Sequence, residues 1–230
     1  MKSHCSATKT IVRYLQKTHD KGTIVRPTGD LTLDCYVEDD FAGLHRRDAD
    51  SLPSSAKSRT GYIITLGGCP ILWKSHLQSK ISLSTLEADY SAVSSAMRTL
   101  LPLRTMLLKL FDGLQLPNTQ ISTIKCRLYE DNNGALLLAT NQQITNHTKY
   151  VQVKWHFFWS HVCDGTIALI KVDSQEQWAD MLTKGLNRDV LILFADLLKD
   201  GDPSSNPFAL AWIILPVQLV YIAHIPSLLP

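Results

Sequence analysis

Residues Leu31 to Gly43 read L-T-L-D-C-Y-V-E-D-D-F-A-G. Leu31, Leu33, Cys35 and Val37 alternate with Thr32, Asp34, Tyr36 and Glu38, the period-two pattern of a strand with one apolar face. Glu38 therefore falls on the face away from the apolar set. Asp40 shares that face, and Asp39 points the other way. A strand that ends in three consecutive acids concentrates negative charge where a fold has fewest partners for it.

The neighbouring segments continue in the same style. Gly61 to Leu66 and Pro70 to Lys74 are apolar and aromatic around Gly67-Gly68, which predicts a hairpin and three antiparallel strands. Ser84 and Glu87 form an S-x-x-E capping box, and Ala88, Ala92, Val93, Ala96 and Leu100 follow at helical spacing. Pro102 inside this apolar run predicts a kink or break near Leu101. Ile124 to Tyr129 and Thr166 to Val172 read as strands, Asn133 to Thr140 as a short helix and Gln175 to Leu186 as a last helix. Val151 to Cys163 carries Trp155, Phe157, Phe158 and Trp159. These aromatics suit base stacking, but their helical spacing favours core, with Lys154 and His156 outward. The fold class expected is α/β: a mixed five-stranded sheet, with three antiparallel strands and then helix, strand, helix, helix, strand, helix.

Several acids recur in short motifs. Beside Y-V-E-D-D-F-A-G (Tyr36 to Gly43) stand L-S-T-L-E-A-D-Y (Leu83 to Tyr90), Y-E-D-N-N-G-A (Tyr129 to Ala135) and E-Q-W-A-D-M-L-T-K-G-L (Glu176 to Leu186). Taken singly, Asp131 before Asn132 suits an ordinary turn and Asp180 a solvated helix position. Asp89 is different, because it shares the face of Ala92, Val93 and Ala96, where a carboxylate is costly unless a cation or hydrogen bonds receive it. Glu87 lies about 200° around the axis from Asp89 and does not replace it.

Together with R-T-G-Y-I-I-T-L-G-G-C-P-I-L-W-K-S (Arg59 to Ser75), these motifs closely resemble the ribonuclease H domain at the C-terminal end of Ty1/copia-type retrotransposon polyproteins. The resemblance runs from about Ile11 to about Leu186. It implies a ribonuclease H-like fold that hydrolyses the RNA strand of an RNA-DNA hybrid with two Mg²⁺ ions, Mn²⁺ being an acceptable substitute. It places the metal ligands and catalytic acids on Glu38, Asp89, Asp131 and Asp180. In the family's Y-x-D-A-D-[WF]-A-G the first position is Asp, and in its T-E-A-E-Y the second is Glu. Glu38 and Asp89 thus exchange the two carboxylate lengths. One methylene moves a carboxylate by about 1 Å, and such misplacement can cost on the order of 10²-fold in rate, so impaired turnover is expected. The rival expectation is a catalytically dead remnant with at most weak nucleic-acid binding.

The resemblance also divides the chain into a connector following the reverse transcriptase (1–28), the ribonuclease H-like domain (29–190) and a non-family, poorly ordered apolar tail (191–230). The tail's run from Phe208 to Leu229 is broken by Pro216, Gln218, His224 and Pro226, a poor fit to a membrane span. The loop Asn146 to Tyr150 keeps Thr148 and Lys149 of the family's S-R-T-K-H, with His147 standing for its Arg. Partners implied are the hybrid and the reverse transcriptase portion of the same polyprotein, in a monomer without membrane. The expected location is intracellular, cytoplasmic in a virus-like particle or nuclear.

Composition bounds these readings. With 230 residues, 45% of them hydrophobic, the chain can bury one substantial core. Its formal charge of +2 says little about polyanions. Arg46, Arg47, Lys57 and Arg59 cluster after the first acidic motif and, with Lys149, are the candidate nucleic-acid contacts; a merely solvated basic loop stands beside that reading. Cys5, Cys35, Cys69, Cys126 and Cys163 are spread without a C-x-x-C pair or secretory signal, which favours a reduced intracellular protein over a zinc site.

Overall fold

The computed structural model describes residues 31–43, 45, 53–114, 124–133 and 152–184, with Cys5, Thr8, Lys9, Val12, Arg13 and Gln16 before them; within 152–158 only the side chain of Phe157 is described. The alternating segment forms β1 (Leu33–Asp40), which pairs antiparallel with β2 (Arg59–Leu66), and β2 pairs antiparallel with β3 (Cys69–Leu77). Gly67 and Gly68 turn this hairpin with φ of 56° and 79°. A two-residue turn with both φ positive suits the right-handed twist of the strands, and glycine adopts it without Cβ strain.

On its other side β1 pairs parallel with β4 (Cys126–Glu130), and β4 pairs parallel with β5 (Ile167–Lys171), giving the order β3-β2-β1-β4-β5. Parallel neighbours require long crossovers. Helix α1 (Thr85–Leu114) precedes β4, and α2 (Gln152–Cys163) precedes β5. The chain has a mixed-sheet α/β fold with β1 at its centre. Of the expected helix at 133–140, only Asn133 lies among the described residues, and the tail 191–230 and nearly all of the connector lie outside them.

The core sits between the sheet and α1. Leu33, Cys35, Val37, Tyr62 and Ile64 meet Ala92, Val93, Ala96, Met97 and Leu100, with Trp159 and Val162 of α2 packed against the edge. Alanines at 88, 92 and 96 let the helix approach closely. Each large side chain buried there contributes about 1.5–3 kcal/mol. The capping box forms as expected: the Glu87 amide donates to Ser84 Oγ at 3.2 Å, and Glu87 Oε2 accepts from the Leu83 amide at 2.8 Å.

Two expectations are corrected in part or whole. Of the kink or break expected near Leu101, the break does not occur: helix α1 runs unbroken through Pro102, which is exposed. The bond lost to the Arg98 carbonyl therefore lies on the solvent side, where water can donate instead, and the apolar stripe below holds the helix together. The segment from Gln175 to Leu186 is not one helix. It comprises a 3-10 turn at Ser174–Glu176 and a short α3 (Asp180–Thr183), separated by an extended Gln177. Gln177 is buried and its Nε2 donates to the Val37 carbonyl at 2.9 Å, while Trp178 stacks on Tyr36 at 4.6 Å. Those two side chains anchor the segment to β1 and interrupt helical winding. Among the described residues no helix is long and apolar enough to cross a membrane.

Candidate active site

Because successive residues of β1 face opposite ways, its acidic end serves two faces of the sheet. Glu38 faces α3. Its carboxylate accepts from Lys184 Nζ at 2.7 Å, and the same ammonium donates to Asp180 Oδ1 at 2.7 Å. Asp180 and Lys184 are four residues apart across the short helix, a spacing that sets them side by side. Glu38 is only 7% exposed. Burial pushes its carboxyl up to about 8, a rise that Lys184 partly offsets and the charges of Asp131 and Asp180 reinforce. The two carboxylates in turn hold the Lys184 ammonium well above its ordinary range, against the effect of its burial.

Asp39 faces α1 and meets Asp89. Both are buried and their carboxyls face one another, so a neutral Asp39 can donate to Asp89. Burial, that pairing and the charges of Asp89, Glu38 and Glu130 raise Asp39 far above the carboxylate range. Asp89 also accepts from Asn132 Nδ2. Asp40 lies on Glu38's side, where burial raises it while Lys184 and Arg59 oppose the rise.

The end of β4 supplies the third wall. Asp131 accepts from Ser174 Oγ at 2.6 Å, while Glu130, 1% exposed, accepts from the Asn132 amide at 3.2 Å through Oε1. Glu130 Oε2 is buried with no hydrogen-bond partner. Glu38, Glu130 and Asp131 each offer an oxygen within 4.8 Å of the others. Burial, then the charges of Asp89, Glu38 and Asp131, push Glu130 well above its ordinary value.

The four acids singled out by the sequence thus converge: Asp131 acts electrostatically on Glu38, Asp89 and Asp180, and Lys184 on Glu38, Asp89 and Asp180. Asp39, Glu130, Asn132, Ser174 and Lys184 join them without having been singled out. Strand alternation does put Asp39 opposite Glu38, but only the packing of α1 over that face reveals Asp89 there. Lys184 stands four positions after Asp180 and Glu130 directly before Asp131, so both lay within the quoted motifs.

The expected basic cluster fares differently. Arg59 is 7% exposed, with Nη1 donating to Ser75 Oγ at 3.2 Å and Asp40 nearby, a setting inside the sheet instead of on an open loop. Lys57 is half-buried at the start of β2. Arg46, Arg47 and Lys149 lie outside the described residues, as does His147.

Among the described residues, seven carboxyls gather at this end of the sheet with one ammonium, Lys184, bonded to two of them, and buried Glu130 Oε2 and Asp39 Oδ2 have no hydrogen-bond partner. Hard oxygens in excess, partly unpaired, fit a divalent cation of the Mg²⁺ or Mn²⁺ type.

Comparison with known proteins gives a consistent set of relatives. The chain is 32% identical over 185 residues to the retrovirus-related Pol polyprotein from transposon RE2 of Arabidopsis thaliana, 80% of this chain and 12% of that protein. It is 32% identical over 197 residues to the corresponding polyprotein from transposon TNT 1-94 of Nicotiana tabacum, 86% of this chain and 14% of that one. Among solved structures, RNase H1 from the archaeon Halobacterium salinarum aligns with a TM-score of 0.39 at 14% identity, over 66% of this chain and 93% of that one. No family model matches the chain.

Proposed function

We propose that this chain, a homologue of the retrovirus-related Pol polyproteins of copia-type transposons, is a ribonuclease H-type nuclease that cleaves the RNA strand of an RNA-DNA hybrid during reverse transcription. The observation that carries the reading is the meeting of Glu38, Asp131 and Asp180, from β1, the end of β4 and α3, at one end of the sheet, with Asp89 of α1 beside them. Such hydrolysis needs an activated water and neutralised charge on both the attacking and the leaving oxygen, which two divalent cations about 4 Å apart supply when bound. Glu38, Asp89, Asp131 and Asp180 would hold them.

The remaining residues position this set. Ser174 orients Asp131, Asn132 holds Asp89, and Gln177 pins the α3 segment to β1. Lys184 draws Glu38 and Asp180 together and opposes the rise that burial gives both carboxyls. Substrate would be recognised by duplex shape and phosphates, with Lys57 and, beyond the described residues, Arg46, Arg47 and Lys149 as backbone contacts and little sequence readout. Affinity should fall steeply with salt. The reverse transcriptase portion of the same polyprotein would present the hybrid, in a virus-like particle or the nucleus.

A second reading, an inactive remnant of that nuclease, is favoured by one feature. The exchanged carboxylates already have partners: Glu38 is bonded to Lys184, and Asp89 to Asn132 and Asp39. The test is cleavage of a labelled hybrid by the full chain with Mg²⁺ or Mn²⁺, native against Glu38→Asp plus Asp89→Glu. Cleavage by the native chain establishes the enzyme, and cleavage only after reversion establishes the remnant. Cleavage by neither overturns the enzyme.

A further inference from the structure

We infer that Glu130 is a direct ligand of a divalent cation bound between Glu38 and Asp131, taking the part that the shortened Asp89 leaves. The inference rests on the nuclease reading of this pocket, but it assigns a ligand outside the four acids of that reading.

Three observations lead there. The first is spacing: oxygens of Glu38, Glu130 and Asp131 lie within 4.8 Å of one another. Ligands on an octahedral ion with bonds of about 2.1 Å are about 3 to 4.2 Å apart, and longer bonds of about 2.4 Å reach about 4.8 Å. The trio is thus at ligand separation for a larger divalent ion and needs only a small contraction for Mg²⁺ or Mn²⁺.

The second is an unanswered valence. Glu130 is 1% exposed, and its Oε2 is buried without a hydrogen-bond partner, whereas Oε1 has the Asn132 amide. An ionised carboxylate offers about four acceptor sites, and buried ones are ordinarily filled. The main charged groups acting on Glu130 are Asp89, Glu38 and Asp131, all acidic, while the Lys184 ammonium is bonded to Glu38 and Asp180. A cation answers all of these carboxylates at once.

The third is what Asp89 does instead. Its carboxylate bonds to Asn132 Nδ2 and to Asp39, so the shorter side chain is retained on the α1 side of the sheet. Glu130, one methylene longer and at the end of the neighbouring strand, reaches the oxygens that Asp89 does not join.

The test is Mn²⁺ binding to the full chain without nucleic acid, followed by loss of the free-ion electron paramagnetic resonance signal. Glu130→Gln should weaken Mn²⁺ affinity at least tenfold, Glu130→Asp by less, and Asp89→Asn by less than Glu130→Gln. Glu87→Gln, on the half-buried capping residue, should leave it unchanged. Circular dichroism establishes that each variant is folded, and Glu130→Asp carries the comparison should the Gln variant not fold. Mn²⁺ affinity unchanged in Glu130→Gln, a greater loss in Asp89→Asn, or no Mn²⁺ uptake by the native chain overturns the inference. The nuclease reading fails separately: adding Glu130→Gln to the Glu38→Asp, Asp89→Glu chain tests the ligand in a cleaving background, and unchanged Mg²⁺ dependence there sinks the ligand while leaving the nuclease standing.

Discussion

Gly61 lies directly across the β1–β2 pair from Glu38, and α3 rests on the place where its side chain would be. A Cβ at Gly61 would come 2.7 Å from Thr183 Cγ2 and 2.8 Å from Leu182 Cβ. Leu182 and Thr183 are fully buried, so neither can swing away without exposing apolar surface. This contact sets the height of α3 over the sheet, and with it the distance of Asp180 and Lys184 from Glu38. Gly61→Val should therefore destabilise the chain by about 1–3 kcal/mol, the ordinary cost of overpacking a filled site. Urea unfolding measures it, and a change under about 0.5 kcal/mol, within the range of neutral surface substitutions, would show that α3 is not seated on Gly61.

Lys184 is the counter-ion of one buried carboxylate, Glu38, and one half-buried one, Asp180, and its removal leaves both without their shared donor. Lys184→Met keeps the stem and deletes the charge. Stability should drop by about 1–3 kcal/mol, the cost of stranding buried acceptors. Millimolar Mg²⁺ should restore more stability to the variant than it adds to the native chain, because the ion finds Glu38 and Asp180 unpaired. Equal Mg²⁺ effects on the two proteins would mean that ammonium and cation do not compete for the same oxygens.

Stability should also fall as pH rises. Glu38 ionises at its ordinary value of 4.5 in the unfolded chain and at about 8 in the folded one. Between those values the folded state holds a proton that the unfolded state has lost, so each step up in pH favours unfolding, until the effect levels off above about 8. One such group contributes at most about 1.4 kcal/mol per pH unit. Asp39 and Glu130, also raised, act with the same sign. Urea midpoints at pH 5 and pH 8 should differ in chelator and converge in Mg²⁺. A midpoint that rises toward pH 8 in chelator would show the carboxyls to be ionised without a cation.

Much of this architecture is local in origin and so readable along the chain. The alternation of Leu33, Cys35 and Val37, the Gly67-Gly68 turn and the Ser84–Glu87 cap each need only near neighbours, and each forms. What escapes is decided by contacts distant in sequence. Pro102 ends no helix because the stripe beneath it is buried against other elements, and Gln177 leaves helical geometry for a carbonyl 140 residues away. The quartet of acids was legible through resemblance to a family. Glu130 was not, since an acid before Asp131 looks like surface until the strand end it sits on, paired with β5, is buried by the rest of the fold.

Asp39 joins these two levels, because the family pattern has alanine at its position and the structure shows what the acid does there. It is 7% exposed, one carboxyl oxygen has no hydrogen-bond partner, and its neutral carboxyl can donate to Asp89. Burying a carboxyl is unfavourable even when it stays neutral, whereas alanine fits a small buried site at little cost. Asp39→Ala should thus stabilise the chain by about 1 kcal/mol, the scale of relieving one unsatisfied buried polar group. It should also flatten the pH slope by removing one raised carboxyl and release Asp89 from its proton. In the Glu38→Asp, Asp89→Glu chain the same change should increase hybrid cleavage at a given Mg²⁺ concentration, since the carboxylate on α1 then faces the cation alone. Unfolding curves at pH 5 and pH 8 and a cleavage time course test the two halves separately. Loss of stability on Asp39→Ala would mean that the Asp39 carboxyl holds α1 to β1 instead of burdening the pocket.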